Sequence, residues 1–436
     1  MKIAIIGYGE QGRAALEYWN KNDNQITVCD QNTDIKVPDG VGTVLGPNHL
    51  SNLDEFDLIV RSPVVHPSDI VKANSADIVK KITSVTNEFM RVSPTKNIIG
   101  VTGTKGKGTT STLVTKMLQA AGKRVHLGGN IGTPPLDLLK DNIAAEDYVV
   151  LELANFQIID LKYSPHIAVC LMVEPEHLDW HLNIEDYIQA KTHLFKKQLA
   201  EDTTVYFAHN DYSVKIANFS PGKKVPYYQK PGARVRDDGV IVMGDDETKV
   251  IHESEVKLLG EHNLQNVCAA LTAVFEAIGS LDGAKEVLYS FSGLEHRLEL
   301  VRSLQGVKYY DDSFGTTPST AIVAMQAFAD PKVMILGGSD KGIPFDEMAD
   351  AVIKSNVRHA VIIGKTGPKI TSLLKQRGFN HVTEGLTTMA EIVNGARQNA
   401  QQGDIVLLST GCASFGLFEN YKDRGNQFKE AVNNLE

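Results

Sequence analysis

The sequence predicts an α/β protein built on parallel sheets and divided into three domains. Three observations carry this. Short apolar runs alternate with helical patterns from the first residue onward. Two glycine-rich turns, Gly7–Gly12 and Thr102–Thr110, each follow an apolar run and open a helical pattern. Runs such as YVVLEL (148–153) and HIAVCLMV (166–173) are almost wholly apolar, as strands covered on both faces must be. At roughly 100–200 residues per domain, 436 residues leave room for two to four domains.

Taken in order, Lys2–Ile6 reads as a strand, Gly12–Asn20 as a helix, Gln25–Asp30 and Asp57–Arg61 as strands. This βαβ rhythm fits a small parallel sheet, and Val92–Lys96 (VSPTK) reads as a linker. The strand Asn97–Val101 then leads through the second glycine turn into a helix from about Lys107 to Ala121. The two apolar runs follow, and Gly260–Ile278 reads as a further helix. Beyond Leu298 the strands are Val307–Asp311, Lys332–Leu336, His359–Ile363 and Asp404–Leu408, with helices between them. The expected domains are 1–92, 93–296 and 297–436. The first and third are Rossmann-like, and the central one is a P-loop ATPase-like parallel sheet.

Composition narrows the function classes. With 44 Lys+Arg against 53 Asp+Glu, the net charge of −9 disfavours non-specific nucleic-acid binding and a basic membrane patch. Cys29, Cys170, Cys268 and Cys412 are scattered, without metal-ligand or disulfide spacing, which points to a reducing compartment. The N-terminus runs straight into a strand and lacks a signal-peptide pattern. No run of 18 apolar residues offers a membrane span. The expectation is a cytoplasmic, monomeric protein with neither nucleic-acid nor membrane partners.

The turn Thr102–Thr110 carries the chemistry. Its glycines let successive backbone N–H groups face one centre. The following helix start adds partial positive charge, and Lys107 a full one, so the segment reads as a cradle for nucleotide phosphates. It departs from the strict phosphate-loop pattern at Val101 and at Gly108, where Ser or Thr would normally meet Mg²⁺. Thr109 is the next hydroxyl.

Ligands of open parallel sheets sit beyond the carboxyl ends of the strands. Glu152 ends one apolar strand there, and Glu176 and His177 follow the next. Mg²⁺ prefers oxygen ligands and tolerates one imidazole. By the same reasoning Lys191, on a helix after that loop, reads as a solvated charge. The first turn, Gly7–Gly12, matches GxGxxG with Asp30 ending the next strand. It would serve a dinucleotide or another diphosphate, a UDP-sugar included.

Several motifs in order resemble the Mur ligases of bacterial cell-wall synthesis. They are GYGEQG, VTGTKGKGTT, GGNIGTP, LELANFQ, EHLDWH, YIQAK, LLGEHNLQNVCAA, LEHRLE, DDSFGTTP, LGGSDKG and STGCASFGLFENYKDRG, and together they span essentially the whole chain. The glycine-type first domain points to those members that add D-glutamate to UDP-N-acetylmuramoyl-L-alanine. The resemblance implies that ATP lies on Gly103, Thr104, Lys105, Gly106, Lys107, Gly108, Thr109 and Thr110, with Asn263 at adenine and Arg297 and Asp312 at phosphate and ribose. It implies two Mg²⁺ ions held by Thr109, Glu152, His177 and Lys191, the last as a carbamate. Lys107, His177 and Lys191 would be the catalytic set, with His177 a ligand rather than a base. Gln11, Asp30 and Ser62 would hold the uridine diphosphate and Asn130 the muramoyl part. Thr316, Lys341, Ser414 and Tyr421 fall at the D-glutamate positions.

Five departures from the family pattern stand out: Gly108 for Ser or Thr, Phe314 for a common Lys, Ala154-Asn155 for Ser-Ser, Val64 for Gly, and Glu176 for Asp. The expected reaction is a two-step amide synthesis through an acyl phosphate, with a hinge near Glu295–Leu298. A ligase for another amino acid or carboxylate, a nucleotide-switched binding protein and an NAD-dependent oxidoreductase are the alternatives. The oxidoreductase would use Gly7–Gly12 and Asp30 but nothing after residue 100.

Overall fold

The computed structural model describes residues 1–436 apart from Asn22, Leu178, Asp179, Leu259 and Lys341. The chain divides into two compact units, Met1–Phe291 and Ser292–Glu436.

The first unit holds two parallel sheets. One has five strands in the order Gly42–Leu45, Gln25–Asp30, Lys2–Ile6, Leu58–Arg61 and Ile82–Thr83. The apolar run Ile3–Ile6 is wholly buried at its centre. The chain order reverses beside Lys2–Ile6, which opens a crevice between that strand's turn and the one after Leu58–Arg61. The second sheet has six strands in the order Lys223–Tyr227, Thr203–Phe207, Ile167–Cys170, Ile98–Thr102, Tyr148–Glu152 and Val125–Gly129. Its central strands Ile98–Thr102, Tyr148–Glu152 and Ile167–Cys170 are almost wholly buried, which is why they read as unbroken apolar runs. Helices Lys107–Ala120 and Glu261–Ile278 pack together against this sheet. One hydrophobic cluster runs through the unit from Ile3, Val28 and Phe89 to Leu151, Phe195 and Ile216. A small antiparallel meander, Arg234–Val235, Val240–Met243 and Thr248–His252, completes it.

The second unit is a six-stranded sheet in the order Glu299–Leu304, Val307–Asp311, Ile405–Leu408, Lys332–Gly337, Val357–Ile363 and Val382–Thr383. Only the first pairing is antiparallel. Separate apolar clusters cover its two faces, one around Met334, Leu336 and Leu407, the other around Val333, Ile335 and Val406. Alternate residues of one strand thus feed opposite cores.

The predicted strands Lys2–Ile6, Gln25–Asp30 and Val307–Asp311 have those bounds in the structure, and the other predicted strands differ by one to three residues at an end. The first helix is Glu10–Trp19, starting two residues before the expected Gly12. Among the described residues, no helix is long and apolar enough to cross a membrane.

Candidate active site

Strand Ile98–Thr102 delivers the chain to the glycine loop, and helix Lys107–Ala120 carries it away. Gly106 caps that helix with φ +84°, in the left-handed region. A Cβ there would sit 2.1 Å from Asn266 Oδ1, so only glycine fits. The loop is tied to the neighbouring strand's end: Thr104 N–H donates to Met172 O at 2.8 Å and its hydroxyl to Glu174 O at 3.0 Å. Lys107 folds back, its Nζ donating to the carbonyls of Gly103 (3.1 Å) and Thr104 (2.9 Å). Lys105 is exposed and pairs with Glu174 at 3.1 Å. Gly103, Gly108 and Thr110 are buried, and Thr109 is half-buried.

Lys191 overturns the expectation of a solvated charge. It is only 1% exposed, on helix Ile184–Thr192, and its Nζ donates to the same Gly103 carbonyl at 3.2 Å. The ammonium stands 4.5 Å over the Tyr187 ring. Burial first, and then the neighbouring Lys107 charge, pushes its pKa down to about 7. Two cationic side chains thus converge on one carbonyl of the loop, in a place that favours anions.

Glu152 ends its strand 3% exposed and accepts from Asn130 Nδ2 at 3.0 Å. Register pairs it with Val101, so it stands beside the loop's entry. His177 takes φ +57°, is exposed, and lies 3.5 Å from Glu176 and 4.8 Å from the Phe156 ring. Asn263 is half-buried and accepts from Asn266 Nδ2 at 3.1 Å. Asn266 in turn meets Thr110 Oγ1 at 3.4 Å, which links the adenine candidate to the phosphate loop.

At the first turn, the oxygens of Asp30 accept from the backbone N–H groups of Tyr8 (2.7 Å) and Asn32 (2.8 Å). A Cβ on Gly12 would lie 2.0 Å from Gly7 O, which explains the glycine at that helix–strand contact. Ser62 N–H donates to Ile6 O, so Ser62 borders the same crevice. Gln11 Nε2 reaches Gly129 O at 3.3 Å, next to Asn130. The two sheets of the first unit therefore bring the diphosphate and muramoyl candidates to one region.

In the second unit, Asp312 follows its strand 6% exposed and accepts from Leu298 N–H (3.2 Å) and Ser409 Oγ (2.6 Å). Burial pushes its carboxyl up to about 6. Arg297 is exposed and lies 5.8 Å over the Phe314 ring, and that ring meets Tyr421 edge-on at 5.4 Å. Thr316 and Cys412 border a small cleft with Ser339 and Phe345. Ser414 is buried. Beneath them the buried Arg424 donates to Ser313 Oγ, Ser313 O and Cys412 O, fixing the loop. Lys341 lies outside the described residues.

Sequence reasoning passed over Tyr187, Asn266 and His181. Tyr187 stands four residues before Lys191 on one helix, and Asn266 three after Asn263 on another. Helical spacing alone would have put each pair on one face.

Parallel sheet, glycine loop and strand-end carboxylate define a P-loop enzyme that works on nucleotide phosphates. Residues 101–274 match the Mur ligase middle domain, and residues 296–412 match the Mur ligase glutamate ligase domain. The chain is 36% identical over 457 residues to a UDP-N-acetylmuramoylalanine–D-glutamate ligase of Acetivibrio thermocellus, covering all of this chain and 97% of that one. It is 37% identical over 452 residues to the ligase of the same name from Symbiobacterium thermophilum, with 100% and 98% coverage. A MurF ligase from Thermotoga maritima, solved in complex with ADP, shares the fold with a TM-score of 0.54 at 17% identity, over 99% of this chain and 95% of that one. The chain belongs to the Mur ligase family and, within it, to the UDP-N-acetylmuramoylalanine–D-glutamate ligases.

Proposed function

We propose that the chain uses ATP to join D-glutamate to UDP-N-acetylmuramoyl-L-alanine in peptidoglycan precursor synthesis. The observation that carries this reading is the convergence of Lys107 and Lys191 on the Gly103 carbonyl, with Glu152 one strand away. The L-alanyl carboxylate attacks the γ-phosphorus of ATP, ADP leaves, and an acyl phosphate forms. The D-glutamate amine then attacks the acyl carbon, the C–O bond to phosphate breaks, and the amine's proton is lost. Lys107 offsets the repulsion between carboxylate and triphosphate, and the loop amides orient the phosphates.

The donor set fits Mg²⁺. Glu152 supplies a buried carboxylate, Thr109 a half-buried hydroxyl and His177 an exposed imidazole. When bound, the ion neutralises charge on the transferring phosphoryl group. Lys191 is well placed to carry a carbamate. Its depressed pKa leaves much of the amine neutral near pH 7, the form whose nitrogen adds to CO₂ with loss of a proton. Gln11, Asp30, Ser62 and Asn130 are read as the UDP-muramoyl contacts. Asn263, Arg297 and Asp312 are read as nucleotide contacts, and Thr316, Lys341, Ser414 and Tyr421 as D-glutamate contacts. On this reading residues 1–92 hold the uridine diphosphate, residues 93–296 most of the ATP contacts, and residues 297–436 the D-glutamate contacts.

The test is phosphate release by purified protein with ATP, Mg²⁺, UDP-N-acetylmuramoyl-L-alanine and either D- or L-glutamate. Release should require every substrate and favour D-glutamate. Release indifferent to glutamate would sink the reading.

A further inference from the structure

The segments that carry Glu152, His177 and Lys191 are separate in sequence, and a single buried residue ties them together. His181 has a side chain with 0% exposure. Its backbone N–H donates to His177 O at 2.9 Å, closing the turn that carries His177. Its Nε2 lies 2.6 Å from Asn155 Nδ2, three residues beyond Glu152. Its Nδ1 lies 2.8 Å from Asp186 Oδ2, in the first turn of the helix that carries Lys191. Its ring packs at 5.3 Å against Tyr187, whose hydroxyl meets Thr104 Oγ1 at 2.7 Å and whose face lies under Lys191. His66, His181 and Asp186 also bring ligand atoms within 4.8 Å of one another, a spacing a cation could bridge. The hydrogen bonds argue against that. Asn155 donates to His181 Nε2, so the proton sits on Nδ1 and points at Asp186. The Ser68 N–H donates to His66 Nδ1, so His66 keeps its proton on Nε2. Both rings turn N–H groups rather than lone pairs toward the carboxylate.

We propose that His181 is a positioning residue, whose two ring nitrogens and backbone N–H set the mutual geometry of Glu152, His177 and Lys191. This rests on the reading of those three residues as the metal-holding set. Losing a group hydrogen-bonded directly to a metal ligand costs about 10–100-fold in metal affinity; His181 acts one step further out, through Asn155, Asp186 and the His177 carbonyl, so the lower end of that range is expected.

The experiment is Mn²⁺ titration of the full chain, followed by the paramagnetic signal of the free ion, for wild type, His181→Phe and Asn155→Ala. Phenylalanine keeps the ring packing against Phe156, Trp180 and Tyr187 while removing both ring hydrogen bonds. Asn155→Ala cuts only the link toward Glu152, and it carries the test alone if His181→Phe fails to melt cooperatively. Each variant should bind Mn²⁺ about 10-fold more weakly and need correspondingly more Mg²⁺ for half-maximal turnover, with KM for D-glutamate unchanged. His181→Gln, which keeps a donor and an acceptor, should recover part of the loss. Wild-type affinity in the variants overturns the positioning role alone. A wild type that binds no Mn²⁺ removes the metal-ligand reading, and this proposal with it.

Discussion

Lys191 shows how a residue's surroundings decide its chemistry. An ammonium this buried is costly unless it finds an anion or gives up its proton. Here burial and Lys107 hold its pKa down at about 7, and the bond to Gly103 O only partly compensates. Lys191→Ala should lower turnover by about 10²–10³-fold, the scale of losing one preorganised charge-stabilising group. Short carboxylic acids should restore part of it. Full activity without rescue would remove the carbamate.

Asp312 makes stability depend on pH. Its folded pKa is raised to about 6, while an unfolded carboxyl titrates near 3.9. Between those values the folded chain keeps a proton that the unfolded chain has released. Stability therefore falls as pH rises across that window, and the cost is complete above about 6. Asp312→Asn keeps an acceptor for Leu298 N–H and should flatten this part of the profile in urea melts between pH 4 and 7. An unchanged slope would place the proton elsewhere.

At the scale of elements, the glycine loop works because neighbours hold it from both sides. Thr104 is pinned to the chain after strand Ile167–Cys170, and Gly106 is pressed against Asn266 of helix Glu261–Ile278. The loop's backbone is thereby held in place by contacts within the chain. Gly106→Ala places a Cβ on Asn266 Oδ1 and a side chain at positive φ, a backbone cost of order 1–3 kcal/mol. ADP affinity measured by calorimetry should fall by at least about tenfold, since 1.4 kcal/mol already corresponds to that factor. Unaltered ADP binding would mean the nucleotide does not rest on this loop.

At the scale of the molecule, the two sheets of the first unit share a core and are tied by an ion pair. Arg61, 1% exposed at the end of a strand in the five-stranded sheet, donates from Nε and Nη2 to both oxygens of Asp160. It also caps the carbonyls of Ser62, Val65 and Phe156, so the turn bearing Ser62 is fixed against the chain after Glu152. Breaking a fully buried pair by removing one partner costs about 3–5 kcal/mol; Asp160 keeps 17% of its side chain exposed, so the lower end of that range applies. Arg61→Ala should lower the unfolding free energy from urea melts by about that much and raise KM for the UDP-muramoyl substrate. A midpoint shift without a KM change would leave Arg61 purely structural.

Much was legible in the sequence alone. Glycines at Gly7–Gly12 and Gly103–Gly106 and the apolar runs located both strand-to-helix turns, because turn conformation and burial on two faces constrain local residue choice directly. The same local logic missed short strands such as Gly42–Leu45 and Ile82–Thr83, and the meander 234–252, where pairing rather than pattern makes the strand. It also misjudged Lys191, since the charge of a lysine says nothing of what packs over it. Sequence by itself determined the fold class, the glycine loop between strand and helix, and the order of the candidate residues along the chain. Only the tertiary structure decided which side chains meet: two lysines on one carbonyl, and His181 at the junction of three segments. Contacts between residues distant in the chain depend on how strands order themselves in a sheet, and no local pattern encodes that order.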